Sequence, residues 1–277
     1  LNEQKQAIIH RAVTRGLDPS VPLKSSGVPW LGDIPQHWEV MRLKHSVSPI
    51  EQGWSPQCDA QPAGIDEWGV LKVGCVNKEF FSPRQNKRLP SSLHPDRRLE
   101  IQHGDILVSR ANTRELLGLA ALAEHPPAKL LLCDKLFRFR VKHGLFNSRF
   151  LVQALRANPS RVQIESSTNG ASSSMQNIGQ GVLKNLWISA PTILEQDAIV
   201  AHISEVTQPG SAAISRLERE IELLREYRTR LVADVVTGKL DVREAAVRLP
   251  DETMSAAVEL PDELIDETEA AEEEIAA

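Results

Sequence analysis

Between Ser211 and Val236 one residue class returns at alternating intervals of three and four: Ile214, Leu217, Ile221, Leu224, Arg228, Leu231 and Val235. Six of these seven positions are apolar, and the spacing is that of a helix with a narrow apolar seam. Such a seam covers too little of the helix to dock it broadly on a core, so it predicts a helix-to-helix interface. Arg228 is the polar exception and reads as a register or partner contact. Upstream, a helix begins near Thr192, where Thr192 and Glu195 have the spacing of a capping box. Pro209-Gly210 is expected to break that helix from the seam, and the chain stays helix-compatible from Gly238 to Arg248.

The region before the seam is mixed. Strand candidates are 39–43, 70–76, 105–110, 117–123, 136–141 and 186–189. Within the last but one, Phe137, Phe139 and Val141 alternate onto one face. A helix is expected after Asn147, burying Phe150, Leu151 and Leu155 and ending before Pro159. The first residues, 1–13, read as the end of a helix with Ala7, Ile8, Ala12 and Val13 on one side and Gly16 as its stop. The proline-rich stretch 18–35 reads as a linker, and 166–181, rich in Ser, Asn and Gly, as a long loop. The expected class is therefore α/β. It comprises the end of a helix (1–18), a mixed-sheet domain (19–190), a helical region (191–248) forming an antiparallel coiled-coil-like spacer, and an acidic disordered tail (249–277).

The formal net charge of −5 hides an asymmetry. From Pro250 onward there are eleven Asp or Glu and no Lys or Arg, so the first 249 residues carry all 32 basic groups against 26 acidic ones. The domain is mildly basic, which permits contact with nucleic acid. Cys58, Cys75 and Cys133 are odd in number and far apart, which supports neither a disulfide framework nor a zinc knuckle and points to a reducing cytoplasm. No apolar run reaches the ~20 residues of a membrane span. Leu1-Asn2-Glu3-Gln4 shows no initiator Met and no signal-peptide pattern, and reads as a piece of something longer.

Catalytic motifs were sought without success. There is no phosphate loop of the form G-x-x-x-x-G-K-[ST], no G-x-G-x-x-G, and no Asn/Asp-Pro-Pro-aromatic motif of amino-methyltransferases. Pro95-Asp96 is not followed by the Glu-x-Lys or Asp-x-Lys that metal-dependent cleavage requires. None of the eight histidines pairs at i,i+4 as a zinc site would need. The chain is expected to be non-catalytic and to hold no metal or cofactor.

The two ends of the structured region echo each other. Residues 1–18 can be laid on 224–241 without a gap, pairing Leu1 with Leu224, Glu3 with Glu226, Val13 with Val236, Thr14 with Thr237, Leu17 with Leu240 and Asp18 with Asp241. Ile8/Leu231 and Ile9/Val232 are conservative matches. A repeat of "globular domain plus long helix" would produce this pattern.

With these stretches in view, the chain resembles the specificity (S, HsdS) subunits of type I restriction-modification systems, in their C-terminal half. The resemblance rests on Arg15-Gly-Leu-Asp-Pro19, Ser26-Gly-Val-Pro-Trp-Leu-Gly-Asp-Ile-Pro-Gln-His-Trp-Glu39, Gly104-Asp-Ile-Leu-Val-Ser-Arg110, Glu195-Gln196, Leu223-Leu-Arg-Glu-Tyr-Arg228 and Val236-Thr-Gly-Lys-Leu-Asp241. It implies a target-recognition domain that reads one part of a bipartite site on double-stranded DNA. It further implies long helices that space the two parts and dock methyltransferase (M) subunits, with restriction (R) subunits joining the complex. S-adenosylmethionine, ATP and Mg would then belong to partner subunits. With one recognition domain present, a homodimer of halves would rebuild the symmetry.

Bases are read at their edges by Arg, Lys, Asn, Gln, Ser and Thr. Three clusters have that chemistry: Arg84, Lys87 and Arg88; Arg110, Asn112, Thr113 and Arg114, which rank first because they follow a strand; and Ser172, Ser173, Ser174 and Gln176, with Lys184 close behind. The rival reading is a coiled-coil protein-interaction module without DNA binding, which predicts no salt-sensitive DNA affinity.

Overall fold

The computed structural model describes residues 2–77, 80–168 and 176–241. In chain order the elements are α1 (Asn2–Arg15), β1 (Leu23–Ser25), β2 (Asp33–Pro35), β3 (Glu39–Arg42), β4 (Glu51–Gln52), β5 (Gly69–Leu71), β6 (Asn86–Arg88), β7 (Ile106–Ser109), β8 (Ala111–Asn112), β9 (Ala120–Leu122), β10 (Leu130–Leu131), β11 (Leu136–Phe139), α2 (Ser148–Arg156), α3 (Asn158–Ser166), β12 (Gln176–Asn177), α4 (Gln180–Asn185), β13 (Trp187–Ala190) and α5 (Ile193–Val236). The chain divides into two compact units, Leu1–Ala212 and Ala213–Ala277.

The first unit is organised by the four-stranded sheet β4-β11-β7-β9, antiparallel throughout. Side chains alternate across it as the pleat requires. Ile106 and Val108 of β7 and Phe137 and Phe139 of β11 face one apolar core, shared with α1, α2 and the start of α5. Leu107 and Leu136 face a second core, built with β5, β10 and the 3-10 turn Val73–Val76. Val141 packs against the first core beside the two phenylalanines, as the alternation predicts. Sheets β10-β5-β6, β13-β3, β12-β8 and β1-β2 complete the unit.

The buried ions Asp105 and Arg138 belong to one network, 3.6 Å apart. Asp105 accepts from the backbone N–H of Gln102 at 2.8 Å and pairs with Arg140 Nε at 2.6 Å. Arg138 donates to Glu51 and to the backbone carbonyls of Glu100 and Arg98. Both buried ions thus keep several partners, which is the condition for tolerating them. Gly104, at φ +85, makes the tight turn into β7 that places Asp105 there.

Several expectations need correction. The stretch 18–35 is more than a linker, because β1 and β2 pair antiparallel within it. The strand expected over 70–76 ends at Leu71 and passes into a 3-10 turn, and that expected over 117–123 shortens to β9. The helix after Asn147 does end before Pro159, but an unexpected further helix, α3, follows it with Pro159 in its first turn, where the missing N–H is no loss. Part of the supposed loop is β12 and α4. In α1 the buried face is Ile9, Ala12 and Val13, while Ala7 is exposed. Finally, α5 continues through Pro209-Gly210. A proline deletes one backbone donor, and the flanking residues Glu205 and Gln208 are exposed, so water can reach the carbonyl left without its partner.

In the second unit, Leu217, Ile221, Leu224, Arg228 and Leu231 are exposed and Val235 is half-buried. The Ile214 side chain, residues 242–248 and the acidic tail lie outside the described residues. Among the described residues, no helix is long and apolar enough to cross a membrane.

Candidate nucleic-acid interface

Described parts of the three polar regions, distant in sequence, are linked by one chain of contacts that runs from Gln85 to Asn112 and Gln176. The Val73–Val76 turn is its hinge. On one side the Lys72 N–H donates to the carbonyl of Gln85, and Gln85 lies so close to Gly74 that a Cβ there would sit 3.2 Å from its Oε1. On the other side Asn77, which closes the turn, accepts from Asn112 Nδ2 at 3.2 Å. Asn112 in turn pairs with Gln176 across the β8-β12 ladder. The Arg156 guanidinium of α2 anchors the hinge by donating to the carbonyls of Val76 and Ala120.

Within this strip the named side chains differ in freedom. Arg84 and Lys87 are exposed. Arg88 is held by Asp59 at 2.8 Å and by Glu67 at 3.4 Å, and these carboxylates raise its pKa, the Asp59 hydrogen bond most. Arg110 donates to the carbonyl of Asp134 at 3.2 Å and lies 5.9 Å from the Phe137 ring centre, so its guanidinium serves the fold. Asn112 is buried and spends its carbonyl on the N–H of Thr113. Thr113 and Arg114 are exposed, with Arg114 3.4 Å from Glu165. Gln176 is half-buried and its Oε1 has no hydrogen-bond partner among the described residues. Lys184 reaches Gln180 at 3.1 Å. Ser172, Ser173 and Ser174 lie outside the described residues.

The loop bearing Thr113 and Arg114 is preformed. The Thr113 carbonyl accepts from the N–H groups of Leu116 and Leu117. Ser109 Oγ donates to the Leu116 carbonyl at 2.6 Å and accepts from the Leu119 N–H. Arg161 of α3, which sequence reasoning missed, donates to the carbonyls of Arg114, Glu115 and Leu117. Its burial pulls its pKa below the ordinary arginine value, against the opposing influence of Glu165 and Glu115. Gly118, at φ +73, completes the seat: a Cβ there would meet Ile164 Cδ1 at 2.5 Å, so only glycine lets α3 approach.

A second constellation explains the other motifs. Trp38, fully buried, donates its indole N–H to Glu195 Oε1 at 2.8 Å, and His37 lies 3.0 Å from Glu195 Oε2. A Cβ on Gly16, at φ +74, would sit 3.3 Å from the Trp38 ring and 3.4 Å from Glu195. Gln196 Oε1 accepts from the N–H of Asn147, the cap of α2, while its amide donates to the carbonyls of Pro191 and Leu145. The end of α1, the Gln36-His37-Trp38 segment and the start of α5 are thus pinned at one point. The Glu195 N–H donates to the Thr192 hydroxyl oxygen, half of the expected capping box, while the Glu195 carboxylate accepts from Trp38.

No family model matches the chain. Over 219 residues it is 27% identical to the type I restriction enzyme EcoEI specificity subunit of Escherichia coli, covering 79% of this chain and 36% of that protein. Over 252 residues it is 23% identical to the type I restriction enzyme MjaVIII specificity subunit of Methanocaldococcus jannaschii, covering 88% of this chain and 55% of that one. The chain is thus similar to HsdS-type specificity subunits. The mixed α/β fold agrees: a chain from a structure of the type I R-M system superposes with TM-score 0.52 at 19% identity, over 81% of this chain and 48% of that one. The chain spans about half, or less, of the length of these relatives.

Proposed function

We propose that this chain is a non-catalytic DNA reader of a type I restriction-modification complex, recognising one part of a bipartite target on double-stranded DNA. The observation that carries the reading is the chain of contacts that links Gln85, beside Arg84, to Asn112 and Gln176, in a chain similar to specificity subunits. In this reading the exposed groups Arg84, Lys87, Thr113 and Arg114 meet DNA first. The engaged groups Arg88, Arg110 and Asn112 hold the strip in shape.

The seam of α5 would space the two half-sites and dock partners: methyltransferase subunits, restriction subunits and a second recognition half, including one from another copy of the chain. Its exposed leucines supply the apolar surface that such docking requires. S-adenosylmethionine, ATP and Mg would enter on the partners. Co-expression with the cognate methyltransferase subunit, followed by mapping of methylated adenines, tests the assignment. A defined split motif is expected; failure of the two subunits to associate would favour a protein-interaction module outside restriction.

A further inference from the structure

We propose that Arg161 is a positioning residue for DNA reading: it fixes the Thr113–Leu117 turn so that Thr113 and Arg114 meet the duplex already in place. The inference rests on the reading of this loop as part of the DNA interface. A surface loop of five residues normally loses conformational freedom when it binds, which lowers affinity. Here that ordering has been done in advance from another element. One guanidinium takes three carbonyls of a single turn: Leu117, Glu115 at 2.9 Å and Arg114 at 3.1 Å.

Arginine is suited to this task because its planar fork carries five donors and no acceptor, whereas a lysine ammonium is a single point. The Leu117 carbonyl belongs to a fully buried residue, so water is a poor substitute donor. The grip comes from a stable base, since Ile164, one turn along α3, packs into the space that Gly118 leaves open.

Glu165 adds a second element. It lies 3.7 Å from Arg161 and 3.4 Å from Arg114, so two cations share one carboxylate. When a phosphate or base edge takes Arg114, Glu165 retains Arg161 as its partner, and no carboxylate is stranded. The positioning residue therefore also lowers the cost of releasing the reading residue.

The test compares the full chain with Arg161→Lys, Arg114→Ala and the double variant. The readout is the affinity ratio between the duplex most enriched from a random-sequence pool by the unaltered chain and a shuffled duplex of equal length. Arg161→Lys is expected to lower this ratio about tenfold, within the range of one lost base contact. Adding it to Arg114→Ala should lower the ratio far less than it does alone, because the two act on one contact. Ser109→Ala, which removes the separate clamp that Ser109 places on the Leu116 carbonyl of the same turn, should shift the ratio the same way by less and covers the case in which Arg161→Lys fails to fold. An unchanged ratio in Arg161→Lys or Ser109→Ala, with Arg114→Ala still losing discrimination, overturns the positioning role. An unchanged ratio in Arg114→Ala and Thr113→Ala removes the loop from the interface and the inference with it.

Discussion

The end of α1 and the end of α5 echo each other in sequence and live in different surroundings. Ile9 and Val13 are 3% and 2% exposed; their counterparts Val232 and Val236 are 54% and 80% exposed. Local features agree closely. Thr14 and Thr237 each donate their hydroxyl to the carbonyl four residues back, at 2.6 and 2.7 Å. Each helix is followed by a glycine at φ +74, Gly16 and Gly238, and Leu17 and Leu240 are 41% and 42% exposed. Backbone signals in the sequence determine how such a helix ends, and tertiary surroundings determine whether its apolar face is used. In α1 that face is closed by the domain through Trp38 and Glu195. In the second unit the same type of face is left open, which fits a segment that acts by associating with something else.

This contrast can be broken by substitution. Trp38→Ala should be the most damaging, at about 3–5 kcal/mol by urea denaturation, because it empties a fully buried indole site and removes the hydrogen bond to Glu195 Oε1. Ile9→Ala should follow at about 2–5 kcal/mol, the usual range for a buried isoleucine. Val232→Ala, its counterpart, should fall within about 0.5 kcal/mol in the isolated chain, as exposed substitutions do. Equal costs for Ile9→Ala and Val232→Ala would dissolve the comparison. A Val232→Ala cost that rises only when a partner subunit is present would sharpen it.

The layout of the domain was legible where patterns were long or strict. Alternation in 136–141 placed Phe137 and Phe139 on one core face, and Asn147 caps the helix expected after it. Short elements escaped because their signals are ambiguous. Pro159 serves equally well as a stop or as a first-turn residue, and Pro209 interrupts one hydrogen bond without ending α5. Among the binding candidates, residue type named the polar clusters, but only geometry separates exposed Arg114 from Arg110, whose guanidinium is spent on Asp134 and Phe137. Arg161 left no mark in the sequence: an arginine in an unrecognised helix cannot be matched to carbonyls some 45 residues away. Several of the motifs behind the resemblance hold the architecture together, with Asp105 pairing exposed Arg140 and lying 3.6 Å from buried Arg138, and Trp38 and Glu195 pinning the helices.

The central claim, that this chain reads DNA sequence, is tested most directly by selecting duplexes from a random-sequence pool with the purified chain and remeasuring the selected duplex as salt is raised. The account predicts enrichment of one short motif, with affinity falling steeply and linearly in log–log form as phosphate contacts are lost. A pool that returns without sequence bias, or binding indifferent to salt, would contradict it.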